Sequence, residues 1–128
     1  MAIVPIVRIG DALIATVQEE LYDRDALRLQ EDLGALLERT PARGVLLDLS
    51  VVQTVDSFLA RVIGNVAAMA RLMGAETVVA GIQPAVAVTL VELGLELRGV
   101  QTALNAEKGM ILLRRRMDGN RGRTRHGA

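Results

Sequence analysis

Val45-Leu46-Leu47-Asp48-Leu49, bounded by Gly44 and Ser50, is apolar at four positions out of five. A strand with one wet face alternates apolar and polar residues. A short continuous run reads instead as a strand covered on both faces, the habit of parallel sheets flanked by helices. The same signature recurs at Glu76 to Ala80 after Gly74, and the apolar run Leu97 to Ala103 holds a last strand. Between these runs the period lengthens. From Asp23 to Arg39, Leu29, Leu33, Leu36 and Leu37 recur at helical spacing, with Glu31, Asp32 and Glu38 opposite, until Thr40-Pro41 stops the pattern. Ser57 to Met73 carries a second stripe of Leu59, Val62, Ile63, Val66, Ala70 and Met73.

A short apolar helix is expected over Ala85 to Leu93, between Pro84 and Gly94, its Val and Leu side chains buried against the sheet. Asn105 to Arg116 reads as a terminal helix. Ile111 and Leu112 should face inward, with three arginines near the negative end of the dipole. Upstream, Ile3 to Ile9 is a strand that Pro5 confines to an edge. Gly10-Asp11 turns the chain, and Ala12 to Val17 returns as the second arm of a hairpin. The order β-β-α-β-α-β-α-β-α predicts an α/β domain: a mostly parallel mixed sheet of four to five strands, an antiparallel hairpin at its start, and right-handed crossovers covered by about four helices. One domain is expected over 1–116. A basic, disordered tail, without helix pattern or core residues, is expected over 117–128.

Composition removes much chemistry. The 128 residues are 51% hydrophobic and 23% charged, so the chain folds. One Phe, one Tyr and no Trp argue against modules that stack nucleic-acid bases on aromatic rings. The absence of Cys excludes disulfides, thiolate metal sites and a cysteine nucleophile, and the single His126 argues against imidazole triads and multi-histidine metal sites. Residues 1–113 carry nine basic and fourteen acidic groups, whereas 114–128 carry six arginines and one aspartate. Such a tail could touch phosphates or acidic lipid, but a solvated terminus is the simpler reading. The longest uncharged run, Thr77 to Val91, falls short of the roughly 20 residues that a bilayer demands. No membrane and a cytoplasmic address are therefore expected.

The chemically informative stretch is Asp48-Leu-Ser-Val-Val-Gln-Thr-Val-Asp-Ser-Phe58: a buried strand, a loop, then Asp56-Ser57 opening a helix. A hydroxyl there lies among unpaired helical N–H groups at the positive end of the macrodipole, which favours a phosphate attached to it. Ser57 or Asp56 also serves simply as a cap, and the two roles are compatible. Ser57 as a nucleophile lacks a base: the only His is in the tail, and the sole lysine, Lys108, sits in the last helix. Neither Gly74 nor Gly81 opens a dinucleotide or Walker pattern. No catalytic constellation is present, and neither an enzyme nor a bound cofactor is expected. Thr89 reads as a satisfied helix hydroxyl. The outer face of the Ser57–Met73 helix, with Arg61, Asn65 and Ala68, offers a docking surface.

The unit from Val45 to Met73, together with Leu72-Met-Gly-Ala75, Gly81-Ile-Gln-Pro-Ala-Val-Ala-Val-Thr-Leu90 and Gln30-Glu-Asp-Leu33, resembles the STAS domain of anti-sigma factor antagonists. Within that family it looks most like the small stressosome scaffold proteins of the RsbS type. The resemblance spans about residues 3–116 and implies a SpoIIAA-like fold and a non-enzymatic regulatory module. It further implies that a GHKL-type serine/threonine kinase is held by the bare protein and phosphorylates Ser57. Phosphorylation then releases the kinase to a downstream stress or sigma-factor pathway, and a phosphatase resets the site. Self-association with sensor paralogues carrying C-terminal STAS domains, in a large assembly, is likewise implied. Asp56, Phe58, Arg61 and Asn65 surround Ser57 as the expected partner-binding residues. The alternative within the same fold is a stand-alone antagonist that binds an anti-sigma kinase directly.

Overall fold

A computed structural model describes residues 4–94, 97 and 100–126, with side chains to Gly119. Its elements follow the expected order: β1 (Ile6–Ile9), β2 (Ala12–Thr16), α1 (Asp23–Arg39), β3 (Gly44–Asp48), α2 (Ser57–Leu72), β4 (Glu76–Ala80), α3 (Pro84–Glu92), β5 (Gln101–Ala103) and α4 (Ala106–His126). The five strands lie side by side in chain order. β1 and β2 are antiparallel, and every later pair is parallel. Successive crossovers of one hand that always step in one direction place their helices on one face. α1, α2 and α3 accordingly share a core with Leu13, Val45, Leu47 and Val79. α4, which follows the last strand, covers the opposite face over Ala12, Leu46, Val78 and Ala80.

Both faces of β3 are thus roofed, which is why Val45, Leu46 and Leu47 are all fully buried. Gly109 lets α4 settle onto the sheet: a Cβ there would lie 2.8 Å from Leu46 Cδ1 and 3.2 Å from Ala80 Cβ. Arg116 Nη2 reaches Glu76 Oε2 at 3.6 Å and ties the far part of α4 to the start of β4. Thr77, on the α1/α2 side of β4, is buried, and among the described residues its Oγ1 has no hydrogen-bond partner.

Several expectations need correction. The last helix does not end at Arg116 but runs to His126, so the three arginines at 114–116 sit mid-helix. Met117, expected in a tail without core residues, is 7% exposed and packs with Leu113. The arginines and the two glycines of this segment do not break the helix, because Arg is a good helix former and Met117 anchors the turn that carries it. Side chains of the basic segment beyond Gly119 lie outside the described residues, as do Ile3 and part of the run at 97–103. Leu113 and Met117 face the sheet; Leu112 is half-buried and Ile111 exposed. In α3 only Val86 and Leu90 are buried, while Val88 and Val91 are 57% and 77% exposed. A nine-residue helix on one face of a sheet has one inward stripe, whatever the character of its other residues.

Candidate functional site

The chain leaves β3 at Asp48 and makes a tight turn. The Asp48 carboxylate accepts from the Ser50 backbone N–H at 2.9 Å and from the Ser50 hydroxyl, a local bond typical of Asp at turns. The Val52 N–H donates to the Leu49 carbonyl at 3.0 Å. Val52 and Val55 then plug into the core, so the loop is held down by apolar contacts although Gln53 and Thr54 are exposed. At its end Asp56 takes up extended backbone (φ −101°, ψ 176°), and its Oδ1 accepts from the Leu59 N–H at 2.8 Å. Asp56 is therefore the cap of α2, and Ser57 is the first helical residue.

This division of labour decides what Ser57 is free to do. With capping assigned to Asp56, the Ser57 hydroxyl is exposed and, among the described residues, bonds to no other group. The amides of the first helical turn point past it, and α2 has no acidic residue in that turn besides its cap. An added phosphate would meet the positive end of the helix at once, with no buried group to displace.

Arg61 and Asn65 continue outward from Ser57 at intervals of four, and Ala68 and Leu72 extend the same exposed stripe along all of α2. Leu72 is 89% exposed. Asn65 Nδ2 also donates to Gln30 Oε1 of α1 at 3.4 Å. Phe58 turns to the other side. It is half-buried against the core and lines a cleft of about 180 Å³ between the β2–α1 loop and the start of α2. Glu19, Asp23 and Asp56 rim this cleft beside Tyr22, whose ring lies 5.4 Å from the Arg24 guanidinium carbon. The structure thus gathers Ser57, Asp56 and Phe58 at one end of the sheet and spreads Arg61 and Asn65 along the helix that leaves it.

Two features of the site escape sequence reading. The acidic rim at Glu19 and Asp23 lies far from Ser57 in the chain and is brought to it by the parallel pairing of β2 with β3 and the packing of α1 against α2. The tie from Gln83, whose Nε2 donates to the Ser50 carbonyl at 2.8 Å, has no local signature. Asp48-x-Ser50 did carry a signal, since Asp two residues before a bonded N–H is a familiar turn pattern. Thr89 bonds the Ala85 carbonyl at 3.0 Å, as expected of a helix hydroxyl.

No helix among the described residues is long and apolar enough to cross a membrane. The family model for the STAS domain matches residues 4–106. The chain is 34% identical over 98 residues to the RsbT co-antagonist protein RsbRA of Bacillus subtilis (strain 168), covering 77% of this chain and 34% of that protein. It spans about a third of the length of the curated relatives it matches. Among solved structures, a serine-to-glutamate form of Moorella thermoacetica RsbS superposes with a TM-score of 0.82 at 36% identity, covering 90% of this chain and 97% of that one. A chain from a structure of the stressosome, a signal integration and transduction hub, superposes with a TM-score of 0.78 at 38% identity, covering 87% and 96%. By sequence and by its SpoIIAA-like arrangement of strands and helices, the chain belongs to the STAS-domain family, among relatives of the RsbS and RsbR kind.

Proposed function

We propose that this protein is a phosphorylation-switched scaffold of a stressosome-type assembly in the cytoplasm. In its bare form it holds a GHKL-type serine/threonine kinase. Phosphorylation of Ser57 lets that kinase go to act on a downstream stress pathway, and a phosphatase restores the bare form. The observation that carries the reading is the free, exposed Ser57 hydroxyl at the first position of α2, beside an aspartate that has taken over capping. Likeness to RsbS and to a protein named for co-antagonism of RsbT supports a kinase of that kind as the partner. Likeness to a stressosome chain supports self-association with longer, sensor-bearing paralogues.

The switch needs no change of fold. A phosphate brings about −1.5 to −2 charges at neutral pH, and the helix start accommodates them. A partner docked over Ser57, Arg61 and Asn65 would instead have to desolvate the new charge and face the acidic pair it forms with Asp56. The test is phosphate incorporation from labelled ATP by the kinase, with the modified residue located by mass spectrometry. Ser57 should carry the label, and Ser57→Ala should take up none while keeping its fold. Label at another residue, undiminished in Ser57→Ala, would overturn the assignment.

A further inference from the structure

Gln83 occupies the N-cap position of α3, in extended backbone with Pro84 next to it, yet its side chain makes no capping bond. Ser, Thr, Asp and Asn are the residues that cap well, and a longer amide at this position calls for another employment. The amide is spent across the sheet end, on the carbonyl of Ser50 at 2.8 Å. The approach is close because Gly81, with φ of 75°, turns the chain sharply after β4. A Cβ on Gly81 would stand 3.0 Å from Ser50 Cα and 3.1 Å from its nitrogen. Ser50 is therefore gripped from two sides: Asp48 takes its N–H and hydroxyl, and Gln83 takes its carbonyl.

We infer that Gln83 is a positioning residue for Ser57, fastening the loop that presents the hydroxyl to the turn between β4 and α3. This rests on the reading of Ser57 as the modified residue. Between the grip on Ser50 and the Asp56 cap, the loop is anchored by Val52 and Val55. Loss of the Gln83 bond should loosen the loop without melting it. A substrate loop that spends only part of its time in the presented form pays for it in apparent affinity rather than in the rate of the bound complex. A typical neutral hydrogen bond shifts such an equilibrium by about fivefold.

The experiment uses the full chain, a purified GHKL-type serine kinase and ATP, with KM for the protein substrate and kcat read separately. Amide hydrogen exchange over residues 50–58 is followed in the same variants without kinase. Gln83→Ala and Gln83→Glu, which cannot donate, should raise KM by up to about fivefold, change kcat less than twofold, and speed exchange in the loop. Gln83→Lys, a donor of similar reach, should restore both values. Gly81→Ala, which forces the two backbones apart, should move KM and exchange in the same direction. Wild-type KM and unchanged exchange in Gln83→Ala and Gln83→Glu would overturn the inference. Phosphorylation that persists in Ser57→Ala would instead overturn the reading beneath it, and the exchange measurement would still decide whether Gln83 holds the loop.

Discussion

Replacing Asp56 separates the two jobs a carboxylate does at the start of a helix. Its Oδ1 satisfies the Leu59 N–H at 2.8 Å, and its charge faces the positive end of a 16-residue helix that has no other acid in its first turn. Loss of a capping side chain costs about 1 kcal/mol. Loss of a carboxylate at a helix N-terminus costs a further 0.5 kcal/mol or so at low salt. Asp56→Ala removes both and should destabilise the protein by about 1.5 kcal/mol, whereas Asp56→Asn keeps the acceptor and should lose only about 0.5 kcal/mol. For a domain of this size those values correspond to falls in Tm of about 6 °C and 2 °C. Urea unfolding followed by circular dichroism, at low and at moderate salt, reads them. The smaller loss should shrink as salt screens the charge, and most of the larger one should persist. Equal stability of the Ala and Asn variants would refute the assignment of Asp56 as a cap, and with it the argument that Ser57 is relieved of that duty.

Thr77→Val replaces a buried hydroxyl that has no partner with a methyl of nearly the same shape, and should stabilise the protein by about 1 kcal/mol in urea unfolding; a loss of stability would mean the hydroxyl is served. Gly109→Val would drive its side chain into Leu46 and Ala80, and should cost about 1–3 kcal/mol while leaving phosphorylation of Ser57 intact in the folded fraction. Mixed with a sensor paralogue, the protein should elute from a sizing column in a particle far larger than either component. Separate elution at all concentrations would favour the stand-alone antagonist.

How far the fold could be read in advance differs from element to element. Val45 to Leu49 and Glu76 to Ala80 are legible as doubly covered strands because burial on both faces leaves little room for charge except at the ends, where Asp48 and Glu76 sit, with Thr77 the one polar side chain tolerated inside β4. Leu29, Leu33 and Leu37 were legible because α1 has one wet side. α3 is hard to read for the converse reason: apart from Thr89 and Glu92 its residues are apolar, so sequence cannot say which of them face in, and Val88 and Val91 face out. In α4, Met117 extends the inward stripe past the point where arginines begin, and composition drew the boundary too early. At the site, Ser57 and Asp56 were found by local pattern, but which of the two caps is a matter of dihedral angles. Gln83 and the acidic rim were invisible, since each meets the loop through strand neighbours rather than along the chain.

The proposed control of kinase docking by a reversible charge at Ser57 is tested most directly by titrating the kinase into bare protein and into protein stoichiometrically phosphorylated at that residue. Calorimetry should return tight binding for the first and at least a tenfold weaker constant for the second, with the circular dichroism of the two forms superimposable. The same constant for both forms would mean that phosphate at Ser57 does not release the kinase.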